Sequence, residues 1–374
     1  MITLPFRLNL LLPVFCLLLF TLDTVEAIEA FFEDVIALEM PKREAGYRGM
    51  MGDVVELNDG RLLLGFSSFG RPPDVPRGTI GGIISKDQGQ TWGTPFTIVD
   101  RPQPPGEHHY AHPSFLRLKD GTLLMAYLYI GATEPRSAST YYRLSMDEGK
   151  TWTHQLAVTP SQGVHNVFND KLVRLSTGRI IAPFEHELRE EGGDHHGFVS
   201  GVCYSDDDGK SWWRSTNLVN TLPVEAQEPH VVELEDGRLM MLCRTYSGYV
   251  VRSYSKDMGL TWSPGEHRRD LKLSINASAL LVERIPSTGD LVLLRCTGGE
   301  RGKYRRTPFV SAISKDEGET WTHEKVIAGD PDDDYGYPSL TFLDDMALIS
   351  YHQRNGIHVA RLSISWFTSG PRSK

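Results

Sequence analysis

Cysteine is scarce in this chain: four residues in 374. Cys16 lies in the apolar N-terminal stretch. Cys203, Cys243 and Cys296 each sit in an apolar run, where a buried free thiol is common. Three cysteines argue against a disulfide framework and leave room for one bridge at most. The chain also lacks a Cys-x-x-Cys pair, a His-Glu-x-x-His stretch, a Walker loop and a dinucleotide fingerprint, so nothing signals a zinc, nucleotide or dinucleotide cofactor. No cofactor is expected. Basic runs are missing too, and the net charge is −9, which argues against a nucleic acid partner. An acidic whole does not exclude an anionic substrate, because a few arginines set the sign inside a pocket.

Long apolar runs are absent beyond the first residues. Arg7 is followed by LNLLLPVFCLLLF, the length of a signal-peptide core and too short for a comfortable membrane span. Val25-Glu26-Ala27 then supplies small residues at the two cleavage subsites. Residues 1–27 are therefore read as a signal peptide cleaved after Ala27, with a retained signal anchor as the alternative. The mature chain, 28–374, is expected to be a secreted or periplasmic monomer with no membrane insertion after cleavage. No composition break divides it. Two histidine groups, His108, His109 and His112 and then His186, His195 and His196, lack metal-ligand spacing and are read as loop residues, some of them lining a ligand site. The DPDDDYG stretch from Asp330 is read as a solvated acidic loop rather than a calcium site.

What the chain has is repetition. SKDQGQTW starts at Ser85, SMDEGKTW at Ser145, SDDDGKSW at Ser205, SKDMGLTW at Ser255 and SKDEGETW at Ser314. Five copies of S-x-D-x-G-x-[TS]-W, each after an apolar run, signal a repeat architecture. A catalytic carboxylate is not needed five times over. The box reads as a hairpin turn: Asp accepts turn amides, Gly takes a positive φ, and Trp packs beneath.

A second repeat precedes the boxes. Six segments, starting at Arg48, His112, Asn166, Glu228, Asn276 and Tyr337, read as strand, tight turn, strand. Five continue into a box. Six such units of four strands predict an all-β fold, a six-bladed β-propeller with five box hairpins. The sixth unit lacks a box; GIHVARLSISWF from Gly356 is expected to supply its outer strands, and AFFEDVIAL near residue 30 to close the ring. Innermost strands of a propeller begin at the mouth of its channel, so the six starting residues should converge there. All six are polar or carry a polar tip, which makes that mouth the candidate pocket.

These motifs resemble the sialidase (neuraminidase) superfamily, whose Asp boxes the five copies match over nearly the whole mature chain. The resemblance implies a carboxylate clamp of three arginines. Arg48 follows Tyr47 at the start of blade one, although Gly49-Met50 stands where the family usually has Ile-Pro. Arg244 ends the strand pair that Glu228-Pro229 opens, and Arg306 stands eight residues before Ser314, with Arg305 as a neighbouring decoy. Tyr337-Pro338-Ser339-Leu340 matches the nucleophile stretch, with Tyr335 as a decoy, and Glu228 becomes the base that activates Tyr337. Asp74, in the loop GRPPDVPRG, suits the acid/base role. His112, Asn166 and Asn276 are the remaining candidate substrate-binding residues. The implied activity is retaining hydrolysis that removes a terminal sialic (nonulosonic) acid from a glycan through a glycosyl-tyrosine. The competing readings are a propeller hydrolase or lyase of another acidic sugar, and a non-catalytic carbohydrate-binding propeller.

Overall fold

A computed structural model describes residues 30–40, 50–68, 75–101, 108–131, 137–159, 163–189, 195–276, 278–299 and 305–370. The segment read as a signal peptide lies outside them. No helix among the described residues is long and apolar enough to cross a membrane.

The chain enters through β1 (Phe32–Glu39) and then builds blades in order. Blade one holds β2 (Gly52–Glu56), β3 (Leu62–Ser67), β4 (Ile80–Ser85) and β5 (Phe96–Val99). Blade two holds β6 (His109–Arg117), β7 (Leu123–Ile130), β8 (Ala138–Ser145) and β9 (Leu156–Ala157). In blade three the inner strand is split into β10 (His165–Asn166) and β11 (Val173–Arg174), both paired to β12 (Ile180–Arg189), followed by β13 (His195–Ser205) and β14 (Trp213–Arg214). Blade four holds β15 (Gln227–Glu233), β16 (Leu239–Arg244), β17 (Tyr249–Ser255) and β18 (Glu266–Lys272). Blade five holds β19 (Leu281–Arg284), β20 (Leu291–Cys296), β21 (Phe309–Ser314) and β22 (Thr322–Ala328). Blade six holds β23 (Gly336–Leu343), β24 (Met346–Gln353) and β25 (Gly356–Ser363). Its fourth strand is β1, paired antiparallel to β25, so the two chain ends close the ring inside one sheet. The six-bladed propeller read from the repeats is the fold.

Strand composition follows position. The second strands are the most buried, and LLLGFS in β3, LMMLCR in β16 and LVLLRC in β20 are buried at every residue because neighbouring blades cover both faces. The outer β18 (EHRRDLK) and β22 (THEKVIA) carry charge, which protects open sheet edges. Six separate apolar clusters fill the six seams between blades. Each box Trp packs into one of them. Cys203, Cys243 and Cys296 are buried free thiols.

The boxes are turns between the third and fourth strands, at the end of the ring opposite the inner-strand starts. In each, Ser Oγ donates to the Asp and accepts the Gly N–H, as at Ser145, Asp147 and Gly149 with 2.9 and 2.8 Å. The Asp carboxylate also takes the Thr amide and hydroxyl, Thr151 at 2.8 and 2.6 Å. Both central residues have positive φ, 59° at Glu148 and 80° at Gly149, as a type I′ turn requires.

The residue after the box Asp does a second job. Glu148 accepts Asn58 N–H of the preceding blade and both guanidinium nitrogens of Arg117 on its own inner strand. Arg117 in turn donates to Glu56 O of the preceding blade. Asp208 and Arg174, and Glu317 and Arg284, repeat the staple against Lys119 N–H and Glu235 N–H. In blade four Met258 occupies the box position, and the inner-strand position carries Glu233 instead, which accepts Ser176 N–H directly. These paired choices tie the four seams from blade one to blade five at the lower rim. Glu148→Ala removes four hydrogen bonds, two of them across the seam to Asn58 and two to Arg117 of its own blade, and should lower unfolding free energy by about 1–2 kcal/mol in a denaturant titration; an unchanged midpoint would show that the seam does not depend on them.

Between β10 and β11 the chain leaves the sheet and enters the channel. Asn169 Nδ2 donates to Gly52 O at 3.0 Å and to Tyr337 O and Pro338 O at 3.3 Å. Asp170 accepts Leu340 N–H, and its carbonyl accepts from His230 Nε2. Lys171 Nζ donates to Leu280 O, while the Lys171 and Leu172 amides donate to Ser114 Oγ. This plug touches each of the other five blades. It floors the channel mouth.

Candidate active site

Three inner strands begin with the same device. His112-Pro113, Glu228-Pro229 and Tyr337-Pro338 each interrupt the ladder, with register shifts at Ala111/Ser114, Gln227/His230 and Gly336/Ser339. Proline has no N–H to offer the ladder. The residue before it is left-handed in each case, with φ of 55°, 41° and 51°. Such strain in a side-chain-bearing residue costs of order 1–3 kcal/mol and is concentrated at functional sites. The bulge turns the side chain out of the strand's alternation, so blades two, four and six deliver a His, a Glu and a Tyr to one place.

There Tyr337 Oη donates to Glu228 Oε1 at 2.7 Å. Arg244 Nη1 reaches the same Oε1 at 2.7 Å and donates to Tyr337 Oη at 3.4 Å. Gln227 Oε1 accepts Arg244 Nε at 3.0 Å and fixes the guanidinium plane. Arg306 lies over the Tyr337 ring, 5.6 Å from its centroid. Its backbone N–H is held by Asp334 and its Nε by Asn276 O. His112 meets the edge of Phe168 at 4.6 Å and Tyr337 at 5.6 Å.

The sequence-derived residues therefore divide. Glu228, Tyr337, Arg244, Arg306 and His112 converge. Asn166 stands beside them, its Nδ2 donating to Glu185 Oε1 at 2.8 Å. Asn276 lies ahead of β19 and braces the Arg306 segment, its Nδ2 donating to Arg305 O. Arg48 and Asp74 lie outside the described residues. The two neighbouring residues are engaged elsewhere: Arg305 is half-exposed and paired with Asp332, and the Tyr335 hydroxyl accepts Asp330 N–H. The solvated reading of the acidic loop holds for Asp332 and fails for Asp333 and Asp334, which are buried. Asp333 accepts from Gln353 Nε2 and Arg354 N–H, and Asp334 carries Arg306, so the loop is a brace for the site.

Glu185 on β12 is a site residue that sequence reading missed. Its Oε2 accepts the Glu228 N–H at 3.0 Å. A carboxylate following the apolar Ile180–Phe184 run was the available signal. The plug residues Asn169, Asp170 and Lys171 carried no motif at all.

Charge is unevenly distributed over these groups. Burial, reinforced by the Glu228 charge, pushes the Tyr337 phenol well above its ordinary value, so it stays neutral. Burial and then the Glu228 charge raise the Glu185 carboxyl to about 7. Burial holds His112 down at about 3, a neutral imidazole. Burial works against the Arg244 cation, yet the Glu228 charge and the smaller contributions of Tyr337 and Glu185 hold it above the ordinary arginine value. Several polar atoms are buried without a protein partner among the described residues: Arg306 Nη1, Glu228 Oε2, Asn166 Oδ1 and His112 Nδ1. Buried polar atoms ordinarily have partners, and a group of orphans around one cleft marks a place for a polar ligand.

Residues 50–349 match the model of the BNR repeat-like domain. The chain belongs to that family, within the sialidase superfamily. It is 27% identical over 227 residues to a sialidase of Bacteroides fragilis, a match covering 58% of this chain and 39% of that protein. The BNR-repeat chain thus spans about two fifths of the length of that relative. Among solved structures it resembles the Hadza microbial sialidase Hz136, with a TM-score of 0.67 and 20% identity, covering 84% of this chain and 66% of the other. It also resembles a leech intramolecular trans-sialidase, with a TM-score of 0.63 and 15% identity over 90% of this chain and 71% of the other. These structural likenesses bear on the fold.

The charge arrangement predicts a titration. In Glu228→Gln the Tyr337 phenol should ionise at lower pH than in the wild type, because the adjacent negative charge is gone while Arg244 and Arg306 remain. Tyrosinate absorbance, with the Tyr337→Phe trace subtracted, measures it; an upward shift or none would separate the two groups electrostatically.

Proposed function

We propose that this protein is an exported exo-acting glycoside hydrolase that removes terminal sialic (nonulosonic) acid with retention, using Tyr337 as nucleophile. The observation that carries the reading is the 2.7 Å hydrogen bond from Tyr337 Oη to Glu228 Oε1 beneath Arg244. The substrate bears a carboxylate on its anomeric carbon. Forked, charge-assisted bonds from Arg244, Arg306 and Arg48 suit that group, and the open Nη1 of Arg306 is a donor for it. A carboxylate nucleophile would approach against like charge, whereas a neutral phenol does not. The phenol is weak until its proton leaves, and Glu228 is in contact to take it.

The steps balance. Tyr337 Oη bonds to the anomeric carbon as its proton passes to Glu228, and the glycosidic bond breaks. The leaving oxygen takes a proton from Asp74. Water, deprotonated by Asp74, then attacks the same carbon, and Tyr337 departs with the proton returned by Glu228. This is the tyrosine variant of retaining hydrolysis.

A fluorinated sialosyl fluoride tests this reading. Intact mass should rise by one glycosyl unit, with the label mapped to Tyr337. Tyr337→Phe keeps the ring and should bind ligand while losing at least about a thousandfold in kcat. A label on Glu228 would mean a carboxylate nucleophile and another substrate class. Binding without label or turnover would favour a carbohydrate-binding propeller.

A further inference from the structure

Glu185 is 4% exposed and sits on β12 of blade three, facing blade four. Its two oxygens are taken by Glu228 N–H and Asn166 Nδ2. The Glu228 amide needs an acceptor, because the residue is buried and its left-handed backbone removes it from the ladder. A carboxylate is not needed for that purpose. The equivalent amide in blade two, His112 N–H, is accepted at 2.8 Å by Ser67 Oγ, a hydroxyl at the same end of the preceding blade's second strand. The molecule thus solves one backbone problem twice, with a neutral group beside His112 and an ionisable group beside Glu228.

We infer that Glu185 is a positioning residue that fixes the Glu228 backbone and, as an anion, sustains the proton affinity Glu228 needs to take the Tyr337 proton. The inference rests on the tyrosine-nucleophile reading. A negative charge behind Glu228 makes its protonated form easier to reach and shares the Arg244 cation, which otherwise opposes protonation of Glu228. The groups that face Glu185 are Asn166 from β10, Glu228 from β15, and Cys243 and Arg244 from β16. On its own strand Glu187 shares the face but is engaged by Arg189 and His195. Among the described residues facing it, Arg244 is the one cation. With burial raising this carboxyl to about 7, Glu185 gains its charge across neutral pH, so kcat should rise through a limb near pH 7.

The test compares kcat and KM against pH for the wild type, Glu185→Gln and Asn166→Ala with an aryl sialoside. Glu185→Gln should lose about tenfold or more in kcat above the limb, with KM changed less than about threefold, and its profile should lack the limb. Asn166→Ala removes a hydrogen bond that favours the ionised form, so its limb should move to higher pH. That variant decides the matter if Glu185→Gln melts out. A limb that survives in Glu185→Gln, a uniform loss at every pH, or an unmoved limb in Asn166→Ala would overturn the inference. A wild type without turnover would instead defeat the proposed function, and this inference with it.

Discussion

The axis of a propeller is where six strands meet with their side chains crowded and their blades otherwise tied only to neighbours. Here that space is filled by Asn169, Asp170 and Lys171, which leave the blade-three sheet and bond to the other five blades. The filling is charged. Burial pulls Lys171 down to about 8, against the charges of Glu228 and Asp170, and pushes Asp170 up to about 6. Asp53 and Glu283, also driven upward by burial, complete the group. Breaking such a set by removing one partner typically costs about 3–5 kcal/mol, comparable with truncating a large apolar side chain in a seam. The plug also carries the backbone of Tyr337 through Asn169, so ring closure and the placement of Tyr337 share one element.

Most of the fold was legible because its signals repeat. The five boxes mark third-to-fourth strand turns, and the Asp-Gly and Thr-Gly turns mark first-to-second ones. One alternation of strand and turn, read six times, leaves few architectures. The closure was legible too: blade six lacks a box because its fourth strand, β1, comes from the other end of the chain. The precise starts were not. β2 begins at Gly52 and β19 at Leu281, later than Arg48 and Asn276, the polar residues that the repeat pattern puts at their heads. A strand start is set by where pairing with the second strand begins, which no single residue type announces.

The residues that converge at the channel mouth stand where the sequence has unusual grammar. His-Pro, Glu-Pro and Tyr-Pro at the heads of alternate blades are such grammar: proline interrupts the ladder, and a polar residue precedes it. The parts that escaped reading act through backbone groups. Glu185 is one carboxylate on an apolar strand, and its meaning depends on an amide 43 residues away that lost its ladder partner. Asn169 is chosen for three carbonyls contributed by two different blades. Asp334 looked solvated because it stands among acids, yet it is buried against Arg306 N–H.

Strain and electrostatics at the channel mouth have a common origin. Turning Tyr337 and Glu228 inward forces both backbones left-handed and leaves amides and side chains without ladder or water. Dry surroundings strengthen the attraction between Arg244 and Glu228, and the same dryness keeps the phenol protonated. A tyrosine in water would ionise more readily but would be neither held nor aimed. The protein instead holds a neutral phenol and places the Glu228 carboxylate within hydrogen-bonding distance. The bulges therefore do two things at once: they aim the groups, and by burying them they create the need for the partners around them, Glu228 against Tyr337, Arg244 against Glu228, and Glu185 behind the Glu228 amide.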